Sequence, residues 1–225
     1  LADAIFIENY WLKEILDKKF AEKTFFAPPG IDTDFFTPKP SENTGYILSV
    51  GRFNDVRKNV KMLFRAYSRL LEIIPDAPRL VMAGLNAPTK EDFAVAKTLQ
   101  IIDKIDVFTN VSIESLRDIY QNASVFALSS DEEGFGLVII EAMCCCLPVV
   151  ATRCGGAEVS IINGENGFLV PLNDSEAMAN RIAELLRDDE KRITFGKRAR
   201  ESAVKNYSIK ATSKIYLETY RRLLG

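Results

Sequence analysis

Two bases and two carboxylates are the residues of this chain that could do chemistry together: Arg52 and Lys58, and Glu133 and Glu141. The bases sit in Gly51-Arg52-Phe53-Asn54-Asp55-Val56-Arg57-Lys58. The first carboxylate ends the acidic turn Ser130-Asp131-Glu132-Glu133, which runs through Gly134-Phe135-Gly136 into an apolar segment that Glu141 interrupts. A glycine-bearing turn entering a helix aims free backbone N–H groups and a positive helix end at an anion, typically a phosphate. Cationic side chains from a second loop would complete a diphosphate site. That second loop is not Gly-x-Gly-x-x-Gly, which argues against an NAD or FAD dehydrogenase. Taken singly, Arg52 and Lys58 read as solvated loop charges, and it is the predicted convergence of the two loops that argues for a site. Arg57 reads as surface, because neighbouring side chains diverge.

With a helix running on from residue 136, Glu133 and Glu141 lie ~10 Å apart at a rise of ~1.5 Å per residue. That is too wide for a retaining glycosidase pair and marginal for an inverting one. The two are better read as separate acceptors for hydroxyl groups. A carboxylate on an apolar face is costly without partners, and ligand hydroxyls would supply them at Glu141. The competing reading is an exposed position on a half-buried helix. Asp131 and Glu132 read as solvated turn residues.

Composition narrows the field. The chain has 29 Lys+Arg against 31 Asp+Glu, so no basic field points to nucleic acid or anionic lipid. No apolar run reaches the ~20 residues of a membrane span. The absence of histidine removes imidazole bases, histidine-dependent nucleophile systems and most zinc sites. Cysteines at 144, 145, 146 and 154 lack Cys-x-x-Cys spacing and read as small core residues of a reduced, intracellular protein. No metal is expected.

The elements that position these residues follow from periodicity. Strands are expected at Ala4–Ile7 and Thr24–Ala27, with an amphipathic stretch between them through Trp11, Leu12, Ile15 and Leu16. Four prolines in 28–40 give linker composition, and a boundary is placed near 38–44. Six short strands follow, at 46–50, 79–83, 105–108, 124–128, 149–151 and 168–170. Helical patterns separate them, the clearest at 59–74, and three more close the chain at 174–187, 189–204 and 209–224. This is an α/β chain with a doubly wound six-stranded parallel sheet. The commonest order, 3-2-1-4-5-6, makes strands one and four neighbours with diverging exit loops, which are the two loops above.

Those residues resemble a known family. Glu133-Gly134-Phe135-Gly136 with Glu141 is similar to the signature of retaining, nucleotide-sugar-dependent glycosyltransferases of the GT-B fold, family 4. Gly51-Arg52 with Lys58, Pro29-Gly30-Ile31-Asp32 with Phe36 and Pro38, and Gly155-Gly156-Ala157-Glu158 resemble its other motifs. The resemblance implies a Rossmann-like, C-terminal donor-binding half. Arg52 and Lys58 would hold the diphosphate and stabilise the leaving nucleotide. Gly51, Ser130, Gly134, Phe135, Gly136 and Leu137 would line the donor site, Glu133 would bind the sugar and Glu141 the ribose. Arg52, Lys58 and Glu133 are the catalytic set. The nucleotide sugar is a substrate, and no cofactor is implied.

Residues 1–40 would then be the tail of an N-terminal acceptor-binding domain plus linker, 41–206 the donor domain, and 207–225 a helix crossing back. The resemblance places the protein in the cytoplasm or at the cytoplasmic face of a membrane, with any membrane association residing in the absent domain. An epimerase or phosphorylase of the same fold, and a non-catalytic nucleotide-sugar-binding scaffold, are the alternatives. Two departures from the family pattern stand out. Pro29 replaces the usual Asn, and Cys146 stands where Gly commonly ends the helix. A left-handed cysteine would cost ~1–2 kcal/mol, so the helix is expected to end differently.

Overall fold

The first and fourth strands of the main sheet run side by side. Strand β3 (Tyr46–Arg52) pairs in parallel with β6 (Ala123–Leu128), Ile47 opposite Val125 and Leu48 opposite Phe126. In the computed structural model, which describes residues 2–39 and 45–225, all six strands of that sheet are parallel. The others are β4 (Leu80–Asn86), β5 (Ile105–Thr109), β7 (Val149–Thr152) and β8 (Gly167–Val170), in the order β5-β4-β3-β6-β7-β8. This is the expected 3-2-1-4-5-6 arrangement.

Side chains alternate across the strands because their period is two. Ile47, Val125, Ala127 and Val150 face one core, with helices α2 (Val60–Ile73), α3 (Lys90–Thr98) and α7 (Ser175–Arg187). Leu48, Phe126, Leu128 and Val149 face the other, with α4 (Ile113–Gln121), α5 (Leu137–Cys144) and α8 (Asp189–Tyr207). Both faces are covered, so the strands read as near-continuous apolar runs.

The first residues form a separate two-stranded parallel sheet, β1 (Ile5–Ile7) and β2 (Thr24–Phe26), joined by α1 (Tyr10–Phe20). The last helix, α9 (Ile209–Leu224), returns to it, and the Tyr216 ring packs on Phe6 at 4.5 Å between centroids. The described part of the proline-rich stretch is not a free linker. Ile31 and Phe36 are buried, and Arg200 of α8 donates to the carbonyls of Phe36 at 3.0 Å and Thr33 at 3.2 Å. Composition reported the prolines but not the arginine that satisfies the segment's carbonyls. The boundary placed near 38–44 falls mostly outside the described residues.

Helix α5 ends in the way the sequence argued against. Cys146 is left-handed, φ +60°. Leu147 N donates to Ala142 O and Cys146 N to Met143 O, both at 3.0 Å, which is the Schellman pattern with cysteine in glycine's place. The bonds that close the end, with Arg200 also donating to Cys144 O, offset the backbone cost.

Candidate functional site

The site is built where β3 and β6 end. After β3, the short turn Val56–Lys58 is capped by Asp55, whose side chain accepts from Arg57 N at 3.1 Å and from the Arg57 guanidinium at 2.7 Å. That guanidinium holds the Asp55 carboxyl down at about 2. Asn59 then adopts a left-handed conformation, φ +43°, and N-caps α2. Its amide donates to Asp131 at 2.8 Å and to Asn173 at 2.7 Å.

Further bonds join the two loops. Asp131 N donates to Arg57 O at 2.7 Å, and Ser129 Oγ to Lys58 O at 2.9 Å. The central link is Lys58 Nζ to Glu133 Oε1 at 2.5 Å, with side chains 13 % and 12 % exposed. Ser130 Oγ donates to the same oxygen at 2.6 Å. The Lys58 stem passes over Gly51, whose built Cβ would lie 3.6 Å from Cδ and Cε. Gly51, Lys58, Ser130 and Glu133 therefore form one connected group. Arg52 stands apart from that pair, its side chain 63 % exposed and its guanidinium 3.9 Å from Asp55. Arg57 is on the surface, as expected. Asp131 is not a merely solvated turn residue, because Asn59 and the Arg57 carbonyl tie it down.

Gly156 lets the glycine turn close. A Cβ there would lie 2.8 Å from both Glu133 Cβ and Phe135 C. Its N–H donates to Glu133 O at 2.9 Å, and Glu133 N donates to Cys154 O at 2.9 Å. Gly136, at φ +84°, is the N-cap of α5 and brings no capping side chain. The N–H groups of Gly136, Leu137 and Val138 find no acceptor among the described residues. Phe135 is buried against Tyr207, 5.6 Å between ring centroids.

Glu141 is partly buried, and its Oε2 accepts a hydrogen bond from Tyr120 at 2.8 Å. Burial raises its carboxyl above the ordinary value, and the Tyr120 hydroxyl pulls the other way. Sequence reasoning missed Tyr120, which looks in sequence like any apolar-face residue of a short helix. Three of the four cysteines are core: Cys144, Cys145 and Cys154 are buried, whereas Cys146 is half-buried, and burial pushes the Cys144 thiol up to about 12. Among the described residues no group of three or more His, Cys, Asp or Glu could hold a metal ion.

A doubly wound sheet with a lysine–carboxylate pair and open helix-end amides at its switch point is a ligand-binding arrangement, and this six-stranded parallel sheet matches the C-terminal domains of GT-B glycosyltransferases. The family model Glycosyl transferases group 1 matches residues 30–202, and the chain belongs to that family. D-inositol 3-phosphate glycosyltransferase of Corynebacterium urealyticum is 35 % identical over 215 residues, 87 % of this chain and 50 % of that protein. Sucrose-phosphate synthase from Thermosynechococcus elongatus superposes with a TM-score of 0.85 at 28 % identity, covering 100 % of this chain and 59 % of that one. Anabaena HepE, solved in complex with UDP and glucose, gives 0.85 at 21 % identity over 99 % and 64 %, a likeness of fold. The chain spans about half the length of the curated relatives it matches. No helix among the described residues is long and apolar enough to cross a membrane.

Proposed function

We propose that this domain binds the donor of a retaining, family 4 glycosyltransferase, which moves a sugar from a nucleoside-diphosphate sugar to an acceptor hydroxyl. The observation that carries the reading is the Lys58–Glu133–Ser130 cluster beside the open amides of Gly136, Leu137 and Val138. Lys58 and Arg52 neutralise the diphosphate, with side-chain cations rather than a metal in that role. The amides take its oxygens, Glu133 takes hydroxyls of the sugar, and Glu141 takes the ribose through the oxygen that Tyr120 leaves open. In the transfer, the acceptor oxygen bonds to the anomeric carbon as the bond from that carbon to the β-phosphate oxygen breaks. The electron pair stays on the diphosphate, and the acceptor's proton passes to the departing phosphate oxygen. Preorganised cations and amides act most strongly where that charge develops.

Most of the acceptor side would be supplied by residues beyond these, since the chain spans about half the length of its relatives. Alone, the domain binds donor and transfers little. Titration calorimetry of the chain with UDP-, GDP- and ADP-sugars tests this. Saturable binding of at least one supports it, and silence across the panel removes it.

A further inference from the structure

The first segment of the chain reaches the glycine turn. A Cβ built on Gly134 would lie 3.1 Å from Glu8 Oε1, and one built on Gly155 would lie 3.7 Å from Trp11 Cδ1 and Nε1. Gly155 is bridged to Glu133, so both side chains stand against the loop that carries the proposed sugar-binding carboxylate. Neither behaves as core. Glu8 is exposed and makes no hydrogen bond or ion pair among the described residues, and Trp11 is 51 % exposed. Their placement is nevertheless fixed locally. The intervening Asn9 is 4 % exposed and caps α1, its Oδ1 accepting from Leu12 N at 2.9 Å. An indole beside a carboxylate suits a polyhydroxyl ring: the ring's C–H face meets the aromatic surface, and its hydroxyls donate to the carboxylate.

We propose that Glu8 and Trp11 form a subsite for an uncharged polyhydroxyl ring lying against the glycine turn. The inference rests on the reading that a diphosphate occupies the Lys58 side of that turn. Whatever ring the diphosphate carries, or whatever ring attacks it, then comes within reach of this pair. The unpaired charge of Glu8 repels a phosphorylated ring, since like charges brought together without a counter-ion are unfavourable. The ring is either the sugar of the donor or the acceptor itself. The chemistry is shared, and the experiment separates the two.

Trp11 is the sole tryptophan, so the emission of the 225-residue chain reports on this subsite directly. Calorimetry with UDP and GDP first establishes diphosphate binding. Fluorescence titrations with UDP-glucose and GDP-mannose then test for a donor ring. myo-Inositol and myo-inositol 1-phosphate, added to the nucleoside-diphosphate complex, test for an acceptor ring. A donor ring changes Trp11 emission beyond the effect of the bare diphosphate. An acceptor ring does so with inositol, and binds at least about fivefold more weakly when phosphorylated. In either case Glu8→Gln, at an exposed position, weakens the ring-dependent part about tenfold, the loss expected for one charged hydrogen bond, and leaves diphosphate affinity within about twofold. Diphosphate binding with an emission indifferent to every ring, or a ring response untouched by Glu8→Gln, overturns this proposal alone. Absence of diphosphate binding overturns the underlying reading and this proposal with it.

Discussion

Replacing Lys58 by Met would separate what the Lys58–Glu133 pair does for the fold from what it does for a ligand. Methionine keeps the stem over Gly51 but removes the charge 2.5 Å from Glu133. Glu133, with its side chain 12 % exposed, would keep Ser130 as its side-chain partner. Breaking a fully buried pair costs about 3–5 kcal/mol. The residual exposure of both groups scales that to about 2–3 kcal/mol, or a fall of about 5–10 °C in Tm for a chain of this length. Loss of a charge-assisted contact to the diphosphate adds about 1.5–3 kcal/mol to binding, a 10- to 100-fold weaker Kd. The double variant Lys58→Met/Glu133→Leu should regain stability to within about 1 kcal/mol of the parent, because no charge is left buried. It should not regain affinity. Circular-dichroism melts and calorimetry with whichever of UDP and GDP binds the parent read both quantities. A Lys58→Met variant that melts and binds like the parent refutes the reasoning. So does a double variant destabilised by the sum of the single effects.

Three further outcomes follow from particular contacts. Burial raises the Glu141 pKa above 4.5, so the folded state holds the extra proton, and the contribution to stability is lost as pH rises through the raised value. Glu141→Gln should therefore melt higher than the parent at pH 7–8 and equal to it below about pH 4.5, while nucleoside-diphosphate affinity falls about 5- to 10-fold. Equal melting at all pH values contradicts this. Gly156→Ala puts a Cβ 2.8 Å from the backbone of Phe135 and should displace the turn, weakening diphosphate binding more than about tenfold; an unchanged Kd by calorimetry contradicts it. Cys146→Gly relieves a left-handed cysteine worth about 1–2 kcal/mol, against about 0.5–1 kcal/mol of added unfolded-chain entropy. A Tm about 1–3 °C higher is expected from a net gain of that size, and a fall in the melt would refute it.

The sheet was legible because its strands are short apolar runs separated by amphipathic helices. Those patterns, with the usual strand order, suffice to bring the Lys58 and Glu133 loops together. What stayed hidden were partners distant in sequence that carry no pattern of their own. Tyr120 satisfies Glu141 from another helix, Asn59 spans to Asp131 and Asn173, and Arg200 anchors a proline-rich stretch that composition reads as linker. Glu8 and Trp11 lie more than a hundred residues before the turn they approach, and nothing in their spacing signals it. Cys146 shows the opposite failure. The local preference was read correctly, but the hydrogen bonds of the helix end and its tertiary neighbours overrode it.

The account depends on one diphosphate being gripped by both loops at once, and amide chemical shifts can see that directly. In ¹⁵N-labelled chain titrated with UDP, GDP and ADP, saturable shifts should concentrate at Gly51, Lys58, Ser130 and 134–138. The amino ends of the strands, around Gly45 and the nearby Arg187, should stay still. Shifts confined to that opposite end of the sheet, or none with any of the three nucleotides, would contradict the account.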